Sequence, residues 1–466
     1  MKALKMVLIF SLWSFLSYGQ EISGTWNGML KFSGAQLRLN FNVTHGADGY
    51  SATMDSPDQG VAGIAVTKTT FRDSILQFEV ANAGIRFDGR WYPGDSIPGT
   101  FKQGGHEIPL TLTRGKIEIA KPIRPQEPVQ PYPYYTEDVH FVNKKGNFEL
   151  AGTLTMPNKT GVYPTVILIT GSGPQNRDEE ILGHKPFLVI ADYLTRNGIA
   201  VLRCDDRGTN ESKGDFKTAT SMDFSTDVEA ALDFLLTRNE IDKTKIGLIG
   251  HSEGGMIAPM VAVRRKEVSY IVLLAGPGIS GKRILLAQEA LIERASGESE
   301  GVISDLTAVN NGAYDLVTRS QNPDSLKKGL TAYYSDRLKA DSTFARTAGI
   351  DQGQFVALQV KQLATPWMKY FIQYDPAPTL QRVKCPVLAL DGSKDLQVPP
   401  EIDLAAIKAA LEKGGNTDIT TVELPNLNHL FQECKTGSPS EYAGIEQTFS
   451  PLALDAMTKW IISKVK

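Results

Sequence analysis

Cysteine is scarce in this sequence and its few residues do not form a framework. The 466 residues contain three cysteines, Cys204, Cys385 and Cys434, with no Cys-x-x-Cys or paired Cys/His spacing. Neither a disulfide-stapled fold nor a structural zinc site is therefore indicated. We expect Cys204 and Cys385 to be small buried apolar side chains, although the sequence leaves a bridge between them open.

An excess of charge of either sign is also missing. Lysine and arginine total 49 against 52 acidic residues, and the formal net charge is −3. The chain has no basic stripe suited to nucleic acid and no acidic tail. Its 41% hydrophobic and 22% charged residues are typical of a soluble globular protein. We expect no nucleic-acid partner, and beyond the first residues no apolar run is long enough to span a membrane.

The N-terminal residues have the pattern of a secretory signal. Two lysines precede an apolar run, Met6–Leu16, which is followed by Ser-Tyr-Gly. This run is too short to span a bilayer, and a basic start with a small residue at the cleavage position is typical of a signal peptide. We predict cleavage after Gly19, a signal peptide at residues 1–19, and export to a bacterial periplasm or beyond.

Residues 20–115 are predicted to form a small all-β domain. Apolar and polar residues alternate over Leu37–Thr44 and Leu76–Val80, and again over 108–112, where Pro109 favours an edge strand. Glycine-rich turns separate these runs at short intervals. The pattern predicts about eight short antiparallel strands, arranged as a small barrel or sandwich.

A proline-rich linker is predicted at residues 116–134. Five prolines fall between Lys121 and Pro133, mostly three residues apart. This spacing favours a semi-rigid polyproline II spacer, which we interpret as the boundary between two domains.

From residue 135 to 466 strand and helix patterns alternate. Buried runs such as 164–170 and 386–390 read as strands covered on both faces, and helical patterns lie between them. The alternation predicts a doubly wound, mostly parallel α/β sheet whose ligands bind at the carboxyl ends of the strands. Residues from about 283 to 375 show only helical patterns, and we interpret them as a lid over these strand ends.

The strongest motif in this domain is Gly250-His251-Ser252-Glu253-Gly254. It follows a short apolar strand and precedes an apolar helix, which is the arrangement of a nucleophile elbow. Glycines are needed at positions 250 and 254 because side chains there would crowd the strand and the helix on either side of a strained serine. We therefore predict Ser252 as the nucleophile.

A serine nucleophile needs a base and an acid that orients the base. His429 follows the last strand, in the chain order serine, acid, histidine, and is the predicted base. His184 is left as a pocket-wall or structural residue. Two aspartates compete as the acid, Asp391 at a strand end and Asp395 in the following loop, and we favour Asp395.

His251 and the adjacent aspartates Asp205 and Asp206 are further polar residues to be placed relative to the predicted site. His251 adjoins the serine, but neighbouring side chains on a tight turn point apart, so we do not expect it to act as the base. Asp205 and Asp206 precede Ser252 in the chain and are expected to brace a loop through Arg207.

An oxyanion hole requires two backbone N–H groups directed at the developing negative charge. We expect one from Glu253, at the start of the elbow helix, where the helix dipole also favours an anion. The other should come from the small-residue loop Thr170–Pro174, and we name Ser172. No metal ligand set and no cofactor motif accompanies these residues.

Together, these motifs resemble the α/β-hydrolase superfamily over about residues 135–466. Within it, the elbow, the Gly171–Gln175 loop and the acid and histidine loops are similar to those of bacterial esterases near the prolyl-oligopeptidase-like and proline-iminopeptidase-like hydrolases. Thr170 stands where the family usually has the histidine of a His-Gly pair. The resemblance implies hydrolysis of a small-molecule carboxylic ester, with a short acyl chain, through an acyl-enzyme and without a cofactor.

Two other functions are considered. The same triad serves peptidases, but no dedicated charged anchor for a peptide terminus is evident in the sequence. A surface protein whose β-domain binds carbohydrate or lipid is disfavoured, because a protein without catalytic activity has no need of an intact serine, acid and histidine set.

Overall fold

The computed structural model describes residues 22–32, 35–47, 49–57, 61–92, 95–103, 106–115, 124–340 and 351–466. The chain divides into two compact units, to which the described residues before 116 and the residues 124–340 and 352–466 respectively belong. The predicted signal peptide lies outside the described residues, as do residues 116–123 of the predicted linker. None of the helices in the described ranges is both long and apolar enough to cross a membrane.

The first unit is a curled antiparallel sheet, in which the described residues form nine strands. The strands are β1 Gly24–Phe32, β2 Ala35–Gly46, β3 Gly49–Ser56, β4 Val61–Ala65, β5 Lys68–Arg72, β6 Ile75–Val80, β7 Ile85–Arg90, β8 Ser96–Gln103 and β9 His106–Arg114. Their order across the sheet is β4-β3-β2-β1-β9-β8-β7-β6-β5. Alternate side chains meet on the inner face, where Trp26, Phe41 and Phe78 are fully buried. The all-β prediction is confirmed.

The expectation that Pro109 marks an edge strand is wrong. Strand β9 lies between β1 and β8 in the sheet. Its pairing with β1, however, covers only Thr113 and Arg114, whereas its pairing with β8 runs along the whole strand. Pro109 therefore has a neighbouring strand on one side only, which is the local environment that tolerates a residue without an N–H.

The second unit is built on an eight-stranded mixed sheet in order β10-β11-β13-β12-β14-β15-β16-β17. The strands are β10 Tyr135–Asn143, β11 Phe148–Met156, β12 Tyr163–Ile169, β13 Ala200–Cys204, β14 Ile241–His251, β15 Val268–Leu274, β16 Val387–Gly392 and β17 Ile419–Leu424. Strands β10 and β11 are antiparallel to their neighbours, and the remaining strands, β12 to β17, are mutually parallel. This sheet confirms the predicted mostly parallel α/β domain.

Helices cover both faces of this sheet. The helices of the second unit are α1 Pro186–Arg196, α2 Ser221–Thr237, α3 Glu253–Ala262, α4 Gly281–Ala295, α5 Glu300–Arg319, α6 Pro323–Ala340, α7 Gln352–Leu363, α8 Pro366–Gln373, α9 Ala377–Leu380, α10 Pro400–Lys413 and α11 Pro451–Val465. Helices α2, α3 and α10 bury apolar side chains in one core, and α1 and α11 bury theirs in a second core on the other face. Each parallel strand is therefore covered twice, which explains its nearly continuous apolar sequence.

The predicted helical insertion corresponds to α4–α8, which the chain forms between β15 and β16. Residues 341–350, between α6 and α7, lie outside the described residues. Side chains of α4 and α8 pack on the elbow helix α3 in a small apolar cluster. The insertion therefore lies over the carboxyl ends of the central strands, as a lid must.

The described part of the predicted linker, residues 124–134, is attached to the α/β unit. The Arg124 guanidinium donates a hydrogen bond to the carbonyl of Ala443 at 3.1 Å, among other carbonyls. The amide of Gln126 donates to the carbonyl of Phe449 at 2.6 Å and accepts from that residue's N–H at 3.0 Å. Any free spacer is therefore confined to residues before this segment.

All three cysteines are free thiols in the structure, so no bridge joins Cys204 to Cys385. Burial raises the pKa of the Cys204 thiol, and it raises the pKa of Cys385 to about 12. Both thiols are therefore protonated, and both side chains pack against the apolar core. The two residues are partly buried, so the expectation of buried apolar side chains is met in their packing but not in full burial.

Candidate active site

Ser252 lies at the sharp turn between strand β14 and helix α3. Its backbone has φ 52° and ψ −118°, a conformation that L-residues rarely adopt. A Cβ at position 250 would collide with the carbonyl oxygen of Gly254, and a Cβ at position 254 would collide with the carbonyl oxygen of Ile169. The steric role predicted for the two glycines is therefore confirmed. The turn holds the Ser252 side chain at the carboxyl end of a central strand.

The structure brings Asp395, and not Asp391, to His429. His429 Nδ1 lies 2.6 Å from Asp395 Oδ2, and both side chains are buried. The other oxygen, Asp395 Oδ1, accepts the backbone N–H groups of Gln397 at 2.7 Å and Val398 at 2.9 Å. Because the two oxygens have different partners, the carboxylate is fixed in one orientation towards the imidazole.

Asp391 is fully buried at the end of β16 and accepts the N–H of Gly392 at 2.8 Å. Burial and, next, the negative charge of Asp395 raise the pKa of Asp391 well above its usual value. Burial therefore favours the uncharged form of Asp391, and the contact with the imidazole is made by Asp395.

Ser252 and His429 line one cavity of about 240 Å³. Its floor is formed by the elbow and the Gly171–Ser172 loop, which we call the oxyanion loop. A Cβ at position 171 would lie 3.3 Å from the Cβ of Ser252, so this loop runs directly beside the serine. The lid supplies the opposite wall, through Ile284, Leu285, Gln288, Trp367 and Phe371.

The backbone amides at the expected oxyanion position differ in their availability. The N–H of Gly171 donates to Glu179 Oε1 at 2.6 Å and is therefore occupied. Within the described ranges, the N–H groups of Ser172 and Glu253 have no hydrogen-bond acceptor. Glu253 is also the first residue of α3, where the helix dipole favours negative charge. These two amides are the ones the sequence named.

The Glu253 side chain forms a connection to the lid that the sequence did not reveal. It is 2% exposed, and its Oε1 accepts hydrogen bonds from Ser221 Oγ at 2.5 Å and from Trp367 Nε1 at 2.8 Å. Burial raises the pKa of Glu253, against the effect of hydrogen bonds from Ser221, Trp367 and Ser172. Helix α8 is thus bonded to the residue that follows the nucleophile.

A second buried pair, Glu179 and His251, also lies beside the site. His251 Nδ1 lies 3.0 Å from Glu179 Oε1, and His251 Nε2 lies 3.0 Å from the carbonyl oxygen of His429. The rings of His251 and His429 are 5.0 Å apart. His251 is not placed as the base, as expected for a side chain next to the serine on a tight turn. Its contact with Glu179 could not be predicted from the sequence, because residue 179 is far away in the chain.

His184 lies outside the cavity. Its Nε2 is 3.0 Å from the carbonyl of Tyr442 and its Nδ1 is 3.2 Å from Thr448 Oγ1. Burial lowers the pKa of His184 to about 4, so it is neutral. Of the two positions left open for it, the structural one agrees with these contacts.

The expectation that Asp205 and Asp206 brace a loop through Arg207 is wrong in its partner. Asp205 pairs with Arg177 at 2.6 Å. Asp206 accepts a hydrogen bond from Thr170 Oγ1, at the base of the oxyanion loop, at 2.8 Å. Arg207 instead pairs with a carboxylate on α2, also at 2.6 Å. Bracing of the loop is real, but its cation comes from residue 177.

The part of the chain that the structure describes contains no group of three or more histidine, cysteine, aspartate or glutamate side chains placed to hold a metal ion.

Relatives by sequence include one protein named as an esterase. The chain is 25% identical to the esterase EstD of Thermotoga maritima over 314 residues, which cover 67% of this chain and 65% of that protein. The chain thus spans just under two thirds of that relative's length. It is also 25% identical over 257 residues to an uncharacterised 31.7 kDa protein of Escherichia coli, covering 54% of this chain and 79% of that one.

Solved structures with similar chains have low sequence identity and low TM-scores. The Pyrococcus furiosus esterase Pf2001 is 15% identical, with a TM-score of 0.42, over 74% of this chain and 100% of that one. The DcsB protein, solved in complex with its substrate analogue, is 18% identical, with a TM-score of 0.42, over 71% of this chain and 99% of that one.

The family match covers the catalytic candidates. Residues 186–433 match the family described as serine aminopeptidase, S33. This range is more than half of the chain. It includes the elbow with Ser252, and also Asp395 and His429. The chain therefore belongs to the serine aminopeptidase, S33 family and has the α/β-hydrolase fold.

Proposed function

We propose that this protein is a serine hydrolase that cleaves carboxylic esters of small molecules through an acyl-enzyme. The observation that carries the proposal is the cavity shared by Ser252 and His429, with Asp395 bonded 2.6 Å behind the histidine. Ser252 Oγ attacks the ester carbonyl while His429 Nε2 takes its proton. The same proton then passes to the departing alcohol, and a water molecule repeats the sequence to release the acid.

The negative charge of the tetrahedral intermediate is expected to lie on the N–H groups of Ser172 and Glu253. Both amides are free of internal acceptors in the described structure, and one begins a helix. Because these donors are fixed by the backbone, they need no reorganisation when charge develops. Asp395 holds His429 with its Nδ1 protonated, which leaves Nε2 free to accept the serine proton.

The walls of the cavity favour a neutral ester over a peptide terminus. An aminopeptidase would need a free carboxylate for the substrate's ammonium group. The two glutamates lining the cavity are already engaged, Glu179 by His251 and Glu253 by Trp367 and Ser221. The volume of about 240 Å³ and the apolar lid side chains suit a short acyl chain.

Cleavage of aminoacyl amides is the second candidate, because the matched family is described as a serine aminopeptidase. The esterase name of the Thermotoga maritima relative supports the first candidate. Turnover of p-nitrophenyl acetate and butyrate, compared with that of aminoacyl p-nitroanilides, separates the two. Faster cleavage of the anilides would favour the peptidase.

The nucleophile is tested by Ser252→Ala. We expect kcat for p-nitrophenyl esters to fall by about 10⁴–10⁶-fold and labelling by a fluorescent organophosphonate to disappear, since the variant has no attacking oxygen. Thermal unfolding would show that the variant is folded. Retained turnover or labelling in folded Ser252→Ala would contradict the assignment.

Export stays a prediction from the first residues of the sequence.

A further inference from the structure

We propose that Glu179 and His251 form a charged positioning pair that fixes the oxyanion loop and the catalytic histidine together. The inference rests on the proposed function of Ser252 and His429. Both side chains line the cavity, but the ring nitrogens of His251 and Oε1 of Glu179 are engaged with protein groups, so we assign neither of them a reaction with substrate. Their contribution is to hold the groups that do.

The first observation is that one glutamate oxygen serves two separate elements. Glu179 Oε1 accepts the N–H of Gly171 at 2.6 Å and faces His251 Nδ1 at 3.0 Å. By occupying the Gly171 amide, it fixes the oxyanion loop and leaves the next amide, that of Ser172, without an internal acceptor. Glu179 thus determines which N–H of the loop is available to the oxyanion.

The second observation is the position of the other imidazole nitrogen. His251 Nε2 lies 3.0 Å from the backbone carbonyl of His429. A bond to the main chain at residue 429 restrains the loop that carries the catalytic imidazole. Asp395 holds that imidazole from its side chain and His251 holds it from its backbone, so the ring has two independent restraints.

The proton count on His251 follows from its partners. A carbonyl oxygen only accepts hydrogen bonds, so Nε2 must carry a proton. Nδ1 faces a glutamate oxygen that already accepts the Gly171 N–H, so a second proton on Nδ1 completes both contacts. The pair is then an imidazolium and a carboxylate. A neutral imidazole has one N–H and completes both contacts only if the glutamate oxygen carries the second proton, so the position of that proton distinguishes the charged pair from a neutral one.

The surroundings support this charged state. His251 is 6% exposed and Glu179 3% exposed, and an unpaired charge at such a depth would be costly. Burial lowers the pKa of His251, but the charge and hydrogen bond of Glu179, the His429 carbonyl and the charge of Asp395 together raise it above its usual value. The ionisable groups facing His251 are therefore Glu179, Asp395 and His429.

The backbone at Glu179 adds an independent sign of function. Its φ is 51°, in the left-handed region that a glutamate rarely adopts. The turn is closed by a hydrogen bond from the Glu179 N–H to the carbonyl of Asn176 at 2.8 Å. Strain of this kind persists where the surrounding contacts require a side chain at one place, and here they place the carboxylate under the oxyanion loop.

Kinetics of Glu179→Gln test the positioning role. Glutamine keeps an oxygen for Gly171 but removes the charge, so His251 becomes neutral and loses one of its two contacts. We expect kcat for p-nitrophenyl butyrate to fall about 10- to 100-fold with KM changed less than threefold, because small misplacements of catalytic groups cost rate more than binding. The matched control is Glu229→Gln, a buried glutamate paired with Arg264 and Lys145 outside the cavity. It should lower stability and leave kcat unchanged.

Substitutions of His251 separate the two contacts. His251→Asn places an amide near the position of Nδ1 and keeps the link to Glu179, whereas His251→Gln places one near Nε2 and keeps the link to His429. We expect kcat of each to lie between those of wild type and His251→Ala. If kcat of Glu179→Gln stays within twofold of wild type, or falls no more than that of Glu229→Gln, the positioning role is overturned.

The charged state is tested without any substrate. In the full chain labelled with ¹⁵N-histidine, at pH 7.5, we expect both ring nitrogens of His251 to carry protons, and only one to do so in Glu179→Gln. A neutral His251 in the wild type would overturn the charged pair whether or not the protein hydrolyses esters. Absence of ester turnover and of Ser252 labelling would instead overturn the proposed function, and the NMR result would still decide the state of the pair.

Discussion

Two aspartates four residues apart have different states at this site. Asp395 is oriented by two backbone N–H groups and bonded to His429, whereas Asp391 is buried at the end of β16 with its pKa raised by burial and by the charge of Asp395. The difference arises from the number of donors that each carboxyl meets, since a carboxylate is stable in a protein interior only where hydrogen bonds or cations replace water. Residue type alone does not distinguish them.

The substitution Asp395→Asn is expected to change the tautomer of the catalytic imidazole. The amide oxygen should take the Oδ1 position, because the N–H groups of Gln397 and Val398 require an acceptor, and the NH₂ group then faces His429. The imidazole is forced into the tautomer with a proton on Nε2, which cannot accept the serine proton. We expect kcat for p-nitrophenyl esters to fall by about 10³–10⁴-fold with little change in KM, measured by steady-state kinetics.

Asp391→Asn is the matched control for this prediction. An asparagine is uncharged, which is the form that burial favours for Asp391, and this residue is not the one bonded to His429, so kcat should stay within a few-fold of wild type. If the two substitutions reduced kcat equally, the assignment of Asp395 as the orienting acid would be wrong.

The residues that the sequence named and those it missed differ in how they reach the site. Ser252, Asp395 and His429 each follow a strand, so chain order and strand ends were enough to name them. Glu179, His251 and Trp367 contribute through contacts between loops and lid whose partners are distant in the chain. The interaction of Arg207 was assigned to the wrong partner for the same reason: adjacency in sequence suggested a pairing that the fold does not make.

A hydrogen bond to the Glu253 side chain joins the lid to the elbow. Trp367 of α8 donates its indole N–H to Glu253, and its ring stacks on Phe371 at 5.3 Å. Both aromatic residues line the cavity. Helix α8 is therefore both a wall of the cavity and a part of the lid that is bonded to the residue after the nucleophile.

Trp367→Phe is predicted to loosen the lid while keeping an aromatic wall. A hydrogen bond within a protein contributes about 0.5–1.5 kcal/mol, and its loss favours the open lid. We expect KM for p-nitrophenyl butyrate to rise about 3- to 10-fold with kcat changed less than threefold, together with faster proteolysis within the lid. Tyr370→Phe removes a hydroxyl from the same helix that forms no hydrogen bond with any described residue, and it should change neither quantity.

Helices and strands were predictable where the repeat of apolar residues along the sequence was long and clear. The helical pattern over about 283–375 predicted an insertion without resolving the separate helices α4–α8, and the buried runs 164–170 and 386–390 predicted β12 and β16 within a few residues of their bounds. The position of β9 was not predictable from Pro109, because a strand in the middle of a sheet can still have a partner on one side only over part of its length. Pairing of this kind depends on register, which no local pattern encodes.

At the scale of the whole molecule, buried carboxyl groups make stability depend on pH. Asp403 of α10 is fully buried, and its Oδ1 accepts the N–H groups of Gly278 at 2.6 Å and Ile279 at 3.2 Å. Its Oδ2 has no hydrogen-bond partner in the described structure. The carboxyl thus fixes the loop after β15 while leaving one of its oxygens without compensation for burial.

Burial raises the pKa of Asp403 to about 6, against the effect of these two N–H groups. The native state therefore holds this proton over a pH range, about 4 to 6, in which the unfolded chain has lost it. The stabilisation that follows is fully present below about pH 4 and is lost as the pH rises through 6. Above that, an ionised carboxylate is buried at a cost to the folded state.

Asp403→Asn should remove this cost without losing the two hydrogen bonds, since an amide oxygen accepts both N–H groups and does not ionise. We expect the variant to be more stable than wild type at pH 8, by on the order of 1–2 kcal/mol, and to show no such gain at pH 4. Thermal unfolding of the full chain at both pH values measures the difference. Asp336→Asn, at an exposed position on α6 beside Lys339, is the control and should show the same small effect at both pH values. A gain for Asp403→Asn that did not grow between pH 4 and pH 8 would mean that the carboxyl stays protonated or is compensated in the folded protein at both pH values.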